Sequence, residues 1–280
     1  MTADGKIIKT NNLKTMKLTF IGAGNMAEAI VAGILKQQVV AAADVCVTDI
    51  SADRLAHLKN RYGVETCSDN TAAVANADVV ILAVKPQVFP SVWPEIEGAL
   101  KPDVLVVSIM AGIPSGKIAG GKPVRVVRVM PNTPALVGEG AAGIAAGEFA
   151  SNADLAIAEK LLGAVGAAVV VKEEEIDAVT ALSGSGPAYV FYLLESMLEA
   201  ADQMGLEKGV ARELALATVS GAAKLMQETG EDADVLRMKV TSKGGTTAAA
   251  IDTMQEHGVK DSIIAALLAA QARSGELANG

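Results

Sequence analysis

Residues 18–34 read LTFIGAGNMAEAIVAGI, and their periodicity changes in the middle. The opening apolar run stops at Gly22, and apolar residues recur at helical spacing from Ile30 onward. This pattern predicts a strand, a glycine turn and a helix. Gly22 permits the tight turn, Gly24 lets a diphosphate approach the backbone, and Ala27 lets helix and strand pack closely. The N–H groups at the start of the helix suit an anion, so the stretch predicts a dinucleotide site.

Composition narrows the class of protein. The chain has 280 residues, of which 51% are hydrophobic and 3% aromatic. It is long enough for two domains built from Val-rich strands and Ala-rich helices. The net charge of −8 and the lack of a Lys/Arg block argue against nucleic acid as a partner. No apolar stretch is long enough to span a bilayer. Cys46 and Cys67 are too few for a disulfide scaffold, so a reducing cytoplasm is expected.

The order of predicted elements indicates the fold class. Residues 1–15 are polar without a secretory signal, and we expect a flexible extension. Strands are then predicted at 45–48, briefly from 64, and at 79–84, 104–109, 124–129, 141–145 and 167–171. Helices are predicted between them, among them one at 92–100 and one at about 152–162. After Lys172 only helices follow, at 187–204, 208–228, 233–240, 246–255 and 260–277.

We therefore predict an α/β protein with a Rossmann-type, mainly parallel sheet domain over residues 16–172. An all-helical dimerisation domain follows over residues 173–280. Its Ala/Leu-rich helices have more apolar surface than so small a domain can cover, which predicts a homodimer through the C-terminal helices. A higher oligomer of dimers stays open. The alternative is that these helices pack on the N-terminal domain.

Metal and nucleophile chemistry is not expected. His57 and His257 lie among charged neighbours on predicted helices, and no Cys/His spacing resembles a zinc site. Cys46 is expected to be a small core residue and Cys67 a loop residue. The three carboxylates of Glu173–Glu175 are interpreted as a solvated helix start, where the helix dipole favours negative charge.

Three polar stretches stand where an α/β protein places ligands. The stretch MPNTPA at 130–135 follows a predicted strand, as do Lys85–Pro86 and Ala111–Gly112. The stretch LSGSGP at 182–187 opens a long helix with small hydroxyl residues. The stretch TSKGGTT at 241–247 joins two helices through paired glycines, and the start of its second helix suits a carboxylate.

Together with the glycine turn, these stretches resemble the pyrroline-5-carboxylate reductases, the enzymes of the last step of proline synthesis. The resemblance runs from Leu18 to the C-terminus and rests on five motifs in the family's order. They are FIGAGNM at 20–26, AVKP at 83–86, MPNTPA at 130–135, the stretch Ala181–Tyr189, and GGTT at 244–247.

The resemblance implies hydride transfer from a nicotinamide cofactor to C5 of the cyclic imine Δ1-pyrroline-5-carboxylate, which gives L-proline. Thr247 is then the hydroxyl near the imine nitrogen, with Ser242 as the second catalytic residue and part of the carboxylate site. The implied substrate-binding residues are Gly244, Gly245, Thr246, Thr180, Ser183, Gly184, Ser185 and Gly186. The glycine turn, the strand ends and the resemblance together give the expected cofactor-binding residues. These are Gly22, Gly24, Asn25, Met26, Asp49, Ser51, Arg54, Asn70, Ala83, Val84, Lys85, Pro86, Ala111, Gly112, Met130, Pro131, Asn132 and Thr133.

The choice between NADH and NADPH depends on the end of the second predicted strand. Asp49 favours a free ribose 2′-hydroxyl and repels a 2′-phosphate. Ser51 and Arg54 follow at once and can bind a phosphate, as that loop does in NADP-using members of the family. The alternative for these two residues is helix capping and a solvated charge. We expect both cofactors to be used, with NADPH preferred.

The chain departs from the family pattern in two places, and two other function classes compete. Lys243 stands where the family usually has proline, and Met238 where it usually has aspartate. A β-hydroxyacid dehydrogenase has a similar domain order but needs a catalytic lysine, for which Lys224 and Lys239 lack the expected glycine-rich setting. A non-catalytic dinucleotide sensor leaves the hydroxyl-rich stretch at 241–247 unexplained.

Overall fold

The computed structural model describes residues 13–279, and its main element is one eight-stranded sheet. The strand order is β3-β2-β1-β4-β5-β6-β7-β8, and every neighbouring pair is parallel except β6 with β7. This confirms the predicted mainly parallel, Rossmann-type sheet. The strands are β1 Leu18–Ile21, β2 Val45–Thr48, β3 Glu65–Cys67, β4 Val79–Leu82, β5 Leu105–Ser108, β6 Arg125–Met130, β7 Gly140–Ala146 and β8 Gly166–Val170.

Helices alternate with the strands and then continue alone, as the sequence predicts. Those interleaved with the sheet are α1 Asn25–Lys36, α2 Ala52–Tyr62, α3 Asn70–Val74, α4 Phe89–Ile96, α5 Ser115–Ala119 and α6 Asn152–Leu162. Those that follow it are α7 Ile176–Val179, α8 Gly186–Gln203, α9 Lys208–Thr229, α10 Ala233–Lys239, α11 Thr246–Glu256 and α12 Val259–Asn279. No helix of this described part is both long and apolar enough to cross a membrane.

Both faces of the sheet are buried, which explains why its strands are continuous apolar runs. Successive residues of β1 point to opposite faces. Phe20 belongs to an apolar cluster with Ile30 of α1 and Leu161 of α6. Ile21 belongs to a second cluster on the other face, with Trp93 of α4. The sheet is therefore a rigid platform that holds the ends of its strands in fixed positions.

The start of the fold needs a correction. Leu13–Thr15 forms a 3-10 turn, and the Leu13 side chain is only 2% exposed. The folded part therefore begins before Met16, because an apolar side chain at position 13 completes the first cluster. The rest of the predicted extension, residues 1–12, lies outside the described residues.

Two other local predictions also differ from the structure. Cys67 ends β3 instead of lying in a loop, and it pairs in register with Thr48. The helix predicted at 92–100 is α4, which starts earlier at Phe89 because Pro90 fits the first turn of a helix. Helix α5 was not predicted, since five residues are too few to show a helical period.

Contacts within the chain define two compact units. The first contains residues up to Ser185 together with Ala270 onward, and the second is Gly186–Ala269. Residues 173–185 lie with the sheet because α7 packs against β7: a Cβ on Gly143 would lie 2.7 Å from Val179 Cγ1. The predicted domain boundary between Lys172 and Glu173 therefore falls inside the first compact unit. That the helical domain starts at Glu173 stays a prediction.

The second unit has little core of its own. The buried apolar side chains within residues 186–269 are those of Ala201, Ala211 and Ala215. Large apolar side chains on its helices are exposed instead, among them Phe191, Tyr192, Leu214, Ile263 and Leu268. An apolar surface of this extent is typical of a protein–protein interface.

Candidate functional site

The predicted cofactor residues lie at one edge of the sheet. Strands β1 to β6 are parallel, so they all end at this side, which we call the carboxyl edge. Strand β1 lies between β2 and β4, so the chain order reverses there. Open α/β sheets bind ligands at such a position. The predicted residues follow β1 (Gly22–Met26), β2 (Asp49–Arg54), β3 (Asn70), β4 (Ala83–Pro86), β5 (Ala111–Gly112) and β6 (Met130–Thr133).

Gly22 is required by the fold itself. Its φ is +103°, a conformation that residues with a Cβ rarely adopt. A Cβ at this position would also lie 2.8 Å from the carbonyl oxygen of Ala83, directly after β4. The Gly22 N–H donates to Thr48 O at 2.9 Å. This glycine therefore lets the turn pass between the ends of β2 and β4.

Gly24 has no such internal reason to be glycine. Its φ of −68° and ψ of 176° suit any residue, and a Cβ would meet no heavy atom within 4 Å. The space in front of it is open, at the start of α1, whose first N–H groups have no partner within the helix. A backbone with open space and free N–H groups is the environment that a diphosphate needs.

Asp49 and Arg54 both hold the glycine turn. The carboxylate of Asp49 accepts from Ala23 N at 2.8 Å and from Ser51 N at 2.9 Å. The Arg54 guanidinium donates to Ala23 O from Nε at 2.9 Å and from Nη2 at 2.7 Å. Ser51 Oγ caps α2 by accepting from Arg54 N. The helix-capping interpretation of Ser51 is thus confirmed, and the Arg54 charge is engaged with the turn.

Glu28, in the first turn of α1, anchors Arg54. Its carboxylate accepts from Arg54 Nη2 at 2.7 Å and from Tyr62 Oη at 3.1 Å, and lies 2.8 Å from His57 Nε2. Burial by itself raises the pKa of Glu28. The hydrogen bonds with His57, Arg54 and Tyr62 outweigh burial and bring the pKa down from 4.5 to about 2. Glu28 therefore stays ionised, and His57 is a partner of this carboxylate.

Glu28→Gln should lower the free energy of unfolding at pH 7 by about 1–2 kcal/mol, a value reduced for solvent screening. The pKa of Glu28 in the folded state lies below its unfolded value. Its stabilisation is therefore full above pH 4.5 and is lost as the pH falls toward 2. Urea unfolding of wild type and variant between pH 7 and pH 3 measures this difference. Glu174→Gln, at an exposed position, is the control; a Glu28 effect that stays constant down to pH 3 would contradict the assignment.

Asn132 joins the end of β6 to two other segments. Its Nδ2 donates to Ser183 O at 3.0 Å, and its Oδ1 accepts from Ala141 N at 2.8 Å. Next to it, a Cβ on Gly184 would lie 2.5 Å from Met130 Cε. Asn132 is buried and both ends of its amide are engaged, so it orders the carboxyl edge near β6 instead of offering free polar atoms.

The segment Thr180–Gly184 is a π-helical turn instead of the predicted loop. Ser185 N donates to Thr180 O at 2.8 Å, the i→i+5 bond of such a turn. The hydroxyl of Thr180 donates to Ile176 O and that of Ser183 to Val179 O. These two hydroxyls are therefore committed to helix carbonyls. π turns inside helices occur frequently at functional sites.

The stretch 241–247 forms a compact turn before α11, within the second unit. Gly244 has a φ of +71°, and Gly245 N donates to Ser242 O at 3.0 Å. A Cβ on Gly245 would lie 2.5 Å from Ser242 Oγ, so the paired glycines bring that hydroxyl to the start of α11. No side chain caps this helix.

Thr246 and Thr247, the first two residues of α11, differ from the other hydroxyl residues of these helices because no hydrogen bond of the described residues uses either hydroxyl. Thr218, Thr241, Thr253 and Ser262 each donate to the carbonyl four residues earlier. For Thr247 that residue is in the turn, because α11 begins only at Thr246. Among the hydrogen bonds of the described residues none uses the hydroxyl of Thr247. It therefore stays available at the helix start, beside N–H groups that suit a carboxylate.

The remaining predicted cofactor-binding residues at the carboxyl edge differ in exposure, hydrogen bonding and backbone conformation. Lys85, Ala111 and Thr133 are exposed. Asn70 begins α3 and accepts from Thr48 Oγ1 at 2.6 Å. Gly112 has a φ of +69°. No group of three or more potential metal ligands occurs among the described residues.

Comparison with known proteins identifies the family. Residues 173–277 match the family model described as pyrroline-5-carboxylate reductase dimerisation, and residues 17–112 match that described as NADP oxidoreductase, coenzyme F420-dependent. A pyrroline-5-carboxylate reductase from Pseudomonas aeruginosa is 44% identical over 269 residues, which cover 95% of this chain and 98% of the relative. The chain belongs to the pyrroline-5-carboxylate reductase family.

Solved members of the family have the same fold. The structure of a pyrroline-5-carboxylate reductase from Coxiella burnetii matches with a TM-score of 0.89 at 42% identity, over 94% of this chain and 98% of that one. A Plasmodium falciparum pyrroline carboxylate reductase, solved with NADP bound, matches with a TM-score of 0.85 at 28% identity, over 95% and 99% of the two chains. The reductase fold thus extends over both units.

Sequence reasoning missed a buried charged cluster in this protein. Arg128 on β6 has a side chain that is 6% exposed, and its Nη1 lies 3.8 Å from Glu173 Oε1. Glu173 also accepts from the backbone N and the hydroxyl of Ser115, so the predicted solvated position of this carboxylate is wrong. Asp177 accepts from Ser274 Oγ at 2.7 Å. The only signal in the sequence was an arginine in the middle of a strand, between apolar residues on both sides.

Proposed function

We propose that this chain catalyses the NAD(P)H-dependent reduction of Δ1-pyrroline-5-carboxylate to L-proline, the final step of proline synthesis. The observation that carries the proposal is the turn Ser242–Thr247 of this chain, which belongs to the reductase family. It combines a serine hydroxyl held over paired glycines, an uncapped helix start and a threonine hydroxyl without a helix partner. The substrate offers a carboxylate and an imine nitrogen, and this turn has a donor for each.

The substrate residues have separate roles in this proposal. The N–H groups of Thr246 and Thr247, with Gly244, Gly245 and Ser242, bind the carboxylate. The Thr247 hydroxyl hydrogen-bonds at the imine nitrogen. Thr180 and residues 183–186 are further substrate residues of the proposal. The hydroxyls of Thr180 and Ser183 are engaged with helix carbonyls, so these two contribute through backbone and shape. Lys243 is exposed, and the two glycines that follow it determine the geometry of the turn.

The nicotinamide cofactor fits the carboxyl edge of the sheet. The open space at Gly24 and the start of α1 take the diphosphate, and the residues after β4, β5 and β6 surround the nicotinamide. When bound, the cofactor supplies a hydride. NADPH is the preferred cofactor and NADH the second. The preference is supported by the match to an NADP oxidoreductase model and by the NADP-bound relative.

The chemistry needs little acid catalysis from the chain. The hydride forms the new C5–H bond, the π pair of the C=N bond moves to nitrogen, and nitrogen ends as the amine of proline. A hydroxyl is a poor acid at neutral pH. Thr247 therefore orients and polarises the C=N bond, and the proton comes from water or from an imine that is already protonated. Fixed positioning at a distance of about 3–3.5 Å is the main contribution.

We further propose a cytoplasmic homodimer formed through the C-terminal helices. The exposed apolar residues of the second unit and the dimerisation match at 173–277 support the dimer. The match begins at residue 173, which supports a start of the helical domain at that residue. Both described cysteines are free thiols, as expected in a reducing compartment. Solution mass tests the dimer and any higher oligomer built from it.

Thr247→Ala should reduce turnover with pyrroline-5-carboxylate about 100-fold, the typical effect of removing one positioned donor. The KM for NADPH should stay within twofold, because the cofactor residues lie in the first unit. Steady-state oxidation of NADPH measures both. Thr253→Ala is the matched control, since this threonine of α11 donates to Ala249 O instead. Unchanged turnover would remove Thr247 from the mechanism.

The same assay separates the alternative functions. Turnover of 3-hydroxy acids, without turnover of pyrroline-5-carboxylate, would indicate a β-hydroxyacid dehydrogenase. Dinucleotide binding without turnover of either substrate would indicate a sensor.

A further inference from the structure

The peptide groups on either side of Ala23 are both held by side chains. Asp49 Oδ2 accepts from Ala23 N at 2.8 Å, which fixes the Gly22–Ala23 peptide. Arg54 donates twice to Ala23 O, at 2.9 Å and 2.7 Å, which fixes the Ala23–Gly24 peptide. A backbone carbonyl held by two nitrogens of one guanidinium has a defined direction, because the five N–H donors of arginine are in one plane.

The direction of the Ala23 carbonyl determines that of the next N–H. A trans peptide is planar, so its C=O and N–H point in opposite directions. Arg54 holds the Ala23 oxygen toward α2, and the Gly24 N–H therefore points away from Arg54. No described residue accepts a hydrogen bond from this N–H, and the space where a Gly24 Cβ would lie is open.

We propose that Arg54 is a positioning residue for the cofactor: by holding the Ala23 carbonyl, it aims the Gly24 N–H at the cofactor diphosphate. This inference rests on the proposed function, because it assumes that a dinucleotide binds at the glycine turn. It differs from the sequence-based expectation that Arg54 binds a 2′-phosphate, the group that distinguishes NADPH from NADH.

The surroundings of Arg54 support a fixed position. Glu28 Oε2 accepts from Arg54 Nη2 at 2.7 Å, and Glu28 Oε1 is itself bonded by Tyr62 and lies beside His57. Arg54 Nε and Nη2 are thus both engaged within the protein. Nη1 makes no described hydrogen bond, but the partners of Nε and Nη2 hold the guanidinium in place, as a residue that orders a turn requires.

Arg54→Gln distinguishes the two roles. If Arg54 orders the turn, the affinities for NADH and NADPH should fall by the same factor, about 10-fold, because both contain the same diphosphate. Titration calorimetry with each dinucleotide measures this directly, without turnover. In kinetics, the KM of both cofactors should rise while the KM of pyrroline-5-carboxylate stays unchanged. Arg54→Lys keeps the charge but loses the planar donor pair, and should show a smaller, equally shared loss.

Arg61→Gln is the matched control. Arg61 lies 3.7 Å from the same Glu28 carboxylate but makes no described contact with Ala23, so its loss should leave both affinities within twofold. A loss for NADPH alone would make Arg54 a 2′-phosphate ligand and overturn the inference, as would unchanged binding of both. If Arg54→Gln fails to fold, Arg54→Lys gives the same comparison. Wild-type protein that binds neither dinucleotide would instead overturn the proposed function.

Discussion

Gly22→Ala should destabilise the protein by about 3–5 kcal/mol and leave much of it insoluble. Two independent costs add at this position. A residue with a Cβ is strained at a φ of +103°. The new methyl group would also lie 2.8 Å from Ala83 O, and relieving that clash separates the ends of β1 and β4. Chemical unfolding of variant and wild type measures the sum.

Gly63→Ala separates the two costs. Gly63 ends α2 with a φ of +70°, and a Cβ there would meet no atom within 4 Å. Only the backbone strain is present, so this variant should lose about 1 kcal/mol. Equal losses at Gly22 and Gly63 would show that the approach of Ala83 carries no cost.

Gly24→Ala should leave stability nearly unchanged and weaken cofactor binding, in contrast to Gly22→Ala, which should destabilise the fold. Its backbone conformation suits alanine and its surroundings are open, so stability should change by about 0.5 kcal/mol or less. Binding of either dinucleotide should nevertheless fall at least about 10-fold, since a methyl group would occupy the place of the diphosphate. A stable variant with unchanged cofactor affinity would place the diphosphate elsewhere.

Arg128→Met should cost about 2–4 kcal/mol of stability. Burial lowers the pKa of Arg128, while the carboxylates of Glu173 and Asp177 act in the opposite direction. Methionine leaves these two carboxylates without the buried positive charge. The cost is below that of a fully buried pair because Glu173 is 28% exposed. Urea unfolding at pH 7 measures the change.

Lys122→Met and a double variant provide the controls for Arg128. Lys122 pairs with Glu97 at 2.7 Å, closer than the Arg128 pair, but its side chain is 62% exposed. It should cost about 0.5 kcal/mol or less, since solvent screens such pairs. Arg128→Met combined with Glu173→Gln should recover about 1–2 kcal/mol of the loss. Strictly additive effects would show that Arg128 stabilises the fold through packing alone.

The sequence by itself determined the family, the order of strands and helices and the glycine turn, because each depends on local pattern. Strand β2 and helix α6 even have their predicted bounds. The unbroken apolar strands predicted a sheet covered on both faces, and the paired glycines at 244–245 predicted a connection whose following helix start suits a carboxylate.

Only the tertiary structure decided which polar groups are free. Asp49, Arg54 and Asn132 all looked available for a ligand, yet each is engaged by backbone from a segment distant in sequence. Glu173 looked solvated, yet it meets Arg128 from another strand. Hydrogen bonds between distant segments leave no periodic trace in the sequence. The same holds for the glycine turn: its pattern indicates that a dinucleotide binds, but the contacts of Asp49 and Arg54 with Ala23 determine where its N–H groups point.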